Sequence, residues 1–297
     1  MGASDDTRDR PARLAVGVIG PGRVGSAVGA ALERAGHRVE AATAVSEASR
    51  RRVAERLPGA EVMEAAEVVA ASELVLLTVP DDALAPLVGG LAETGAPLGG
   101  RLLAHTSGSH GHGVLAPATA AGALPMALHP VMTFTGRPED LDRLASCSFG
   151  VTAPEPLRPI AEALVVEMGA EPVWIDEDRR ALYHAALAGG ANHLVTLVAE
   201  SREQLRAAGV ADPGRMLGPL LGAALDNALR LGIDGLSGPV LRGDARTVQG
   251  HMAELRAHAP ESVPAYVVLA RLTADRALEA GLLKPHDAER LLDVLQA

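Results

Sequence analysis

Over the first half of the chain, apolar residues arrive in short unbroken runs separated by amphipathic stretches. "LAVGVIG", "RVEAAT", "LVLLTVP", "RLLAHTS", "ALPMALHP", "SFGVTA" and "PVWID" have the length and continuity of buried strands. Between them, "SEASRRRVAERLP" and "EPLRPIAEALVVEMG" repeat their apolar positions at helical spacing. Strands covered by helices on both faces lose the in–out alternation of a half-exposed sheet, so continuous runs alternating with helices predict a parallel sheet. After Asp176 the pattern changes. Every long segment from "DEDRRALYHAALAGGANHLV" onward has helical spacing, and Pro213, Pro239, Pro260 and Pro285 fall where helices start or loops run. The expected fold class is therefore α/β, a doubly wound parallel sheet over residues 13–176, followed by an all-α domain over 177–297. The polar, mixed-charge residues 1–12 are expected to be a disordered tail, with neither a signal peptide nor a myristoylation pattern.

One junction departs from simple punctuation. Where the first run hands over to its helix, "GPGRVG" places Gly20, Gly22 and Gly25 in the spacing G-x-G-x-x-G. Gly20 permits the sharp turn, Gly22 lets a phosphate approach the backbone, and Gly25 lets the helix pack close to the strand. Free N–H groups at the helix start, on Arg23 and Val24 among others, then favour a pyrophosphate. The competing reading is a tight turn without a ligand.

The tip of the second run selects the cofactor. An acid there would hold a ribose 2′-hydroxyl, but Glu40 lies early in the run and the tip carries Thr43 and Ser46, with Arg50, Arg51 and Arg52 close behind. Hydroxyls with a nearby arginine, Arg50 in the first place, suit a 2′-phosphate, so NADP is expected over NAD. Some of these arginines belong to a solvated helix face.

Ligands of open α/β sheets bind at the carboxyl ends of strands. Three such ends carry chemistry: Val79–Pro80 followed by Asp81, His105 to Gly108 with Ser107 among them, and His129–Pro130. Asp81 reads as a helix cap or a catalyst, and Ser107 as a substrate-positioning group or a turn hydroxyl. The histidines His105, His110, His112 and His129 lack a cysteine or carboxylate at ligand spacing, so no metal is expected. In the helical half, His184 and Asn192 share one helix face. Reduction of a carbonyl needs a proton donor and a group to orient the oxygen. His184 and Asn192 are candidates for those roles, with a satisfied interhelical histidine as the alternative. Arg242, in "LSGPVLRGDAR", is a candidate fork for a carboxylate, or else half of a structural pair with Asp244. His129 is a further candidate substrate contact.

Charge and composition narrow the partners. With 27 basic and 37 acidic residues the formal charge is −10, which argues against nucleic acid. A small anionic substrate is compatible, because local arginines decide that. No apolar stretch reaches membrane-spanning length free of charges, and the single cysteine, Cys147, fits a reduced cytoplasmic setting. "MLGPLLGAALDNALRLG" and "VPAYVVLARLTADRALEAG" are more apolar than a lone small domain needs, so a homodimer through the helical domain is expected.

Taken together, "GVIGPGRVGSAVGAAL", "LVLLTVPDDAL", "HTSGSHG", "LHPVMTF", "YHAALAGGANHLVTL" and "SGPVLRGD" resemble the Rossmann-like proteins that carry a DUF2520 C-terminal domain, over residues 13–283. The resemblance implies an NAD(P)-dependent oxidoreductase of the wider 6-phosphogluconate dehydrogenase-like group, with a dimerising helical domain. Some members are regarded as alternative ketopantoate reductases. Related β-hydroxyacid dehydrogenases place a catalytic lysine shortly before the asparagine of the first helix. Here Ala188, Gly189, Gly190 and Ala191 precede Asn192, and the only lysine of the chain is Lys284. The expectation is an NADPH-dependent reductase of a small 2-oxo acid, ketopantoate being the named guess. An imine reductase resembling pyrroline-5-carboxylate reductase and a non-catalytic dinucleotide sensor are the alternatives.

Overall fold

The computed structural model describes residues 13–296; the expected tail, 1–12, lies outside them. The described residues form two compact units that divide at Gly189/Gly190.

The first unit alternates strands and helices: β1 (Ala15–Ile19), α1 (Arg23–Arg34), β2 (Arg38–Ala42), α2 (Glu47–Arg56), β3 (Glu61–Val62), α3 (Ala65–Ala71), β4 (Leu74–Leu77), α4 (Asp81–Glu93), β5 (Leu102–His105), α5 (Ala116–Ala120), β6 (Leu124–Pro130), α6 (Glu139–Leu144), β7 (Ser148–Thr152), α7 (Arg158–Glu167) and β8 (Glu171–Trp174). Eight strands form one sheet in the order β3-β2-β1-β4-β5-β6-β7-β8. Successive side chains of a strand point to opposite faces, and the core divides accordingly. Val16, Val18, Leu74 and Leu76 pack with α1, α2 and α7 on one face. Val75 and Leu77 pack with α3, α4 and α5 on the other.

Two details depart from the expected all-parallel set of seven strands. The edge strand β3 is only two residues long and exposed, so it leaves no apolar run to detect. β7 pairs antiparallel with β6, and β8 follows β7 in parallel. A strand buried on both faces reads the same in either direction, so "SFGVTA" identifies β7 without orienting it.

Helix α8 (Arg180–Ala207) begins after the expected boundary at Asp176, and the segment from Glu177 to His184 packs on the sheet unit. Glu177 accepts hydrogen bonds from the backbone N–H groups of His112 and Gly113, each at 2.9 Å.

The second unit is helical: the later part of α8, then α9 (Pro213–Leu231), α10 (Ala245–His258), α11 (Val263–Glu279) and α12 (Pro285–Gln296). Asp212 and Asp244 cap α9 and α10, accepting from the Arg215 and Thr247 N–H groups. Its core comes from α10, α11 and α12, with Val248, Met252, Ala274 and Leu291 at its centre. α9 buries only Pro213 and Leu217. Among the described residues no helix is long and apolar enough to cross a membrane.

Candidate active site

β1 lies between β2 and β4, the point where the order of strands reverses, and the crevice there opens at the carboxyl ends of the strands. The glycine turn sits at that end of β1. Gly20 has φ +84°, a conformation that side chains rarely adopt. A Cβ on Gly25 would come 2.1 Å from the Oγ1 of Thr78. That hydroxyl donates to the Gly20 carbonyl at 2.6 Å and so props the turn from β4. Gly22 differs. A Cβ there would meet no protein atom nearer than 3.8 Å. The fold itself therefore requires Gly20 and Gly25 but not Gly22, whereas a phosphate resting on the turn requires all three.

Helix α1 starts without a side-chain cap and without an acid in its first turn. Its leading N–H groups, those of Arg23 and Val24 included, lack the partners that usually satisfy a helix start. Around the turn, the Gly20 N–H donates to Thr43 Oγ1 at 3.0 Å, and Val79 packs so that a Cβ on Gly20 would lie 2.9 Å from its Cγ1. Glu40 points away to an ion pair with Arg38. Ser46 caps α2, accepting from the Ser49 N–H at 3.1 Å, so its hydroxyl is committed locally. Arg50 is exposed. The arginine that reaches the turn is Arg52, whose Nη1 donates to the Pro21 carbonyl at 3.3 Å.

The ends of β4, β5 and β6 bring a second cluster together. Pro80, not Asp81, occupies the N-cap of α4, so Asp81 is no cap. Its carboxylate accepts from Ser109 Oγ at 2.6 Å. Burial alone would raise its pKa, but the hydrogen bonds from Ser109 and Ser107 and the nearby His110 and His184 outweigh this and hold the carboxyl below its usual range. Ser107 is buried, and its hydroxyl lies 3.1 Å from His110 Nδ1 and accepts from the His110 N–H. His105 is wholly buried, with both ring nitrogens on backbone: Nδ1 accepts from the Ser107 N–H and Nε2 donates to the Gly111 carbonyl. Burial drives its pKa down to about 4. Among the described residues no group of three His, Cys, Asp or Glu side chains has metal-binding geometry.

On β6, His129 Nδ1 lies 2.7 Å from the phenol oxygen of Tyr183. The His184 ring stands edge-on to His129, with centroids 6.0 Å apart. Gly108 makes room for both rings, since a Cβ there would lie 2.5 Å from His184 and 2.9 Å from His129. Beneath them Arg180 is 1% exposed. It donates to the Thr152 hydroxyl and to the carbonyls of Ala127 and Gly150, while its Nη1 has no hydrogen-bond partner among the described residues. Burial, with Arg180 and His184 adding to it, lowers the His129 pKa to about 4. Burial raises that of the Tyr183 phenol, with Arg180 opposing. At neutral pH the pair is a neutral imidazole and an intact phenol.

The first unit thus assembles Asp81, Ser107, Ser109, His110, His129, Tyr183 and His184 on the sheet edge that carries the glycine turn. Tyr183 adjoins His184 in the sequence, yet its partner His129 is 54 residues away. Asn192 and Arg242 belong to the helical unit, where both are exposed. Asp244 spends its carboxylate on Thr247, at 2.6 and 3.0 Å, as the cap of α10.

Comparison with known proteins agrees with this architecture. Residues 1–130 match the Rossmann-like domain, and residues 147–273 match a domain of unknown function, DUF2520. No curated protein matches the chain. A Bacteroides fragilis protein described as a candidate NADP oxidoreductase is 22% identical, with a TM-score of 0.71 over 89% of this chain and 98% of its own. A reductive aminase from Aspergillus terreus, solved with NADPH and ethyl levulinate, is 19% identical, with a TM-score of 0.68 over 95% and 99%. An imine reductase from Myxococcus stipitatus, solved with NADP+, is 18% identical, with a TM-score of 0.65 over 94% and 99%. At these identities the likeness is one of fold. Together the two domain matches and the glycine turn place the chain in the family of Rossmann-like proteins that carry a DUF2520 domain.

Proposed function

We propose that the protein is an NADP-dependent reductase acting on the C=N bond of a small imine. Gly22 carries the cofactor half of this reading, because the turn leaves open space beside its backbone where a phosphate could rest. The α1 N–H groups would hold the pyrophosphate, and the structures solved with NADPH or NADP+ share the fold. An acid-free β2 tip, with Thr43 and Arg52 at the turn, favours a 2′-phosphate over a free hydroxyl. When bound, the nicotinamide supplies a hydride.

Asp81 and the missing lysine favour the imine. A protonated imine brings its own proton and a positive charge, and Asp81 is a carboxylate held ionised at the strand ends. The Tyr183 phenol oxygen, hydrogen-bonded to His129, has a lone pair that can accept from the N–H of the protonated imine. A 2-oxo acid would meet Asp81 with a like charge. The 2-oxo acid reading, ketopantoate included, is the second one, with His184 as its proton donor. Oxidation of NADPH, with NADH run alongside, over cyclic imines and 2-oxo acids separates the readings. Turnover of imines alone is the expected result, and turnover of 2-oxo acids alone selects the second reading. Tight NADPH binding with no turnover on either panel would leave a dinucleotide-sensing protein.

The same reading makes the protein a homodimer through its helical unit. Leu220 and Leu229 of α9, Val195 of α8 and Val268 of α11 are 64–78% exposed. Side chains of this size each contribute roughly 1.5–3 kcal/mol when buried, and a second copy is the partner that supplies a matching apolar face. The cytoplasm is the setting we favour, in keeping with a single cysteine.

A further inference from the structure

Within the helical unit, α8, the 236–240 turn, α10 and α11 line an open pocket of about 390 Å³. That falls inside the range of small-molecule sites, roughly 300–1,000 Å³. Its lining mixes two chemistries. Leu197, Leu236, Pro239, Val240 and Leu269 supply the apolar part. Beside them, Glu200 receives the hydroxyl of the buried Ser262, and His251 Nδ1 lies 2.9 Å from the Tyr266 phenol oxygen. Ser201 donates to the Leu197 carbonyl at 2.8 Å, which commits its proton and leaves the hydroxyl oxygen as an acceptor. Glu200 is the one carboxylate in the lining, and no lysine or arginine joins it there.

We infer that this cavity binds a small amphipathic amine, its ammonium group on Glu200 and its hydrocarbon against Leu197, Leu236 and Leu269. An ammonium brings three donors and a charge to a wall rich in acceptors. A carboxylate has none to offer, and a neutral alcohol satisfies Glu200 without neutralising it. The alkyl portion displaces water from the apolar wall, as the largest favourable term in such sites demands. The inference rests on the helical unit alone, so it stands or falls separately from the cofactor reading.

Hexylamine, with hexan-1-ol as its neutral counterpart, tests it by calorimetry on the full-length protein. The amine should bind more tightly than the alcohol by about tenfold, the size of one charge-assisted hydrogen bond. Glu200→Gln keeps an acceptor for Ser262 and should erase that difference. Ala265→Trp, on the exposed side of the same lining, should abolish binding of both by filling the space. The melting temperature of each variant reports that the chain is folded and should stay close to that of the wild type. Equal affinity for amine and alcohol, or an amine that ignores Glu200→Gln, overturns the assignment. Failure of the wild-type protein to bind the amine, as when a partner's side chain plugs the cavity, also overturns it.

Discussion

The two units solve the same problem differently. In the sheet unit each apolar strand is covered on both faces by helices of its own segment, so β1, β4 and β5 are buried throughout. In the helical unit α9 is nineteen residues long and buries two of them. The first unit completes its core alone, and the second leaves a face of leucine and valine open. Self-sufficiency also explains where polar groups are buried. His105 and Arg180 lie wholly inside the sheet unit, a placement tolerated only where hydrogen bonds and packing already fix the surroundings.

The largest effect that would break this comparison is acid. His105 and His129 have pKa values of about 4 in the fold against 6.5 as the ordinary value. Below 6.5 the unfolded chain takes up protons that the folded chain refuses. The stability present above pH 6.5 is therefore lost progressively as the pH falls toward 4, by up to about 3 kcal/mol per histidine. Denaturant titrations at pH 7 and pH 4.5, with hydrogen exchange to locate the loss, should show the sheet unit weakening first. Retention of its protection at pH 4.5 would mean that both rings become charged without cost. His129→Asn should remove about half of the pH dependence, since one of the two histidines is then gone.

The open face comes next. Leu229 is 78% exposed, and Leu229→Glu should weaken self-association by at least about thirtyfold, as expected for a buried interface anchor. Sedimentation of wild type and variant measures it. A wild type that runs as a monomer at micromolar concentration would show that α9 tolerates solvent, and the contrast between the units would dissolve.

A finer test separates fold from ligand within one turn. Gly25→Ala drives a methyl group against Thr78 and should cost about 1–3 kcal/mol of stability, the usual range for overpacking. Gly22→Ala meets open space and should leave the melting temperature unchanged while weakening NADPH binding. If Gly22→Ala leaves NADPH affinity untouched as well, the cradle argument is lost.

This distinction also marks how far the sequence could be read. The glycine turn was legible because its constraints are local: three positions, one strand before, one helix after. The strand runs were legible because burial on both faces leaves an unbroken apolar signature, which β3, short and exposed, lacks. The direction of β7 was hidden by that same signature. Site chemistry was less legible. Tyr183 stands beside His184 in the sequence, but its role depends on His129 across the fold, and no spacing announces such a pair. Asp81 follows Pro80 as a helix cap would, yet tertiary contact with Ser109 claims its carboxylate. Asn192 and Arg242 remain expectations placed on the helical unit.

The smallest effect concerns the arginines after β2. Three follow one another, and helical phase decides between them. Val53 is the buried anchor of α2. Arg52 and Arg56, four residues apart, share a face and donate to the Pro21 and Gly136 carbonyls. Arg51 lies out in solvent near Glu55, and Arg50 is exposed. A 2′-phosphate resting beside the turn would thus be held by Arg52. Arg52→Ala should reduce the preference for NADPH over NADH by about tenfold, the loss of one charge-assisted contact, without changing affinity for NADH. Arg50→Ala should do neither. Competitive binding of the two coenzymes to both variants measures the ratio. Should Arg50→Ala carry the loss instead, the phosphate lies further out along α2 than the turn, and Thr43 has no part in choosing the coenzyme.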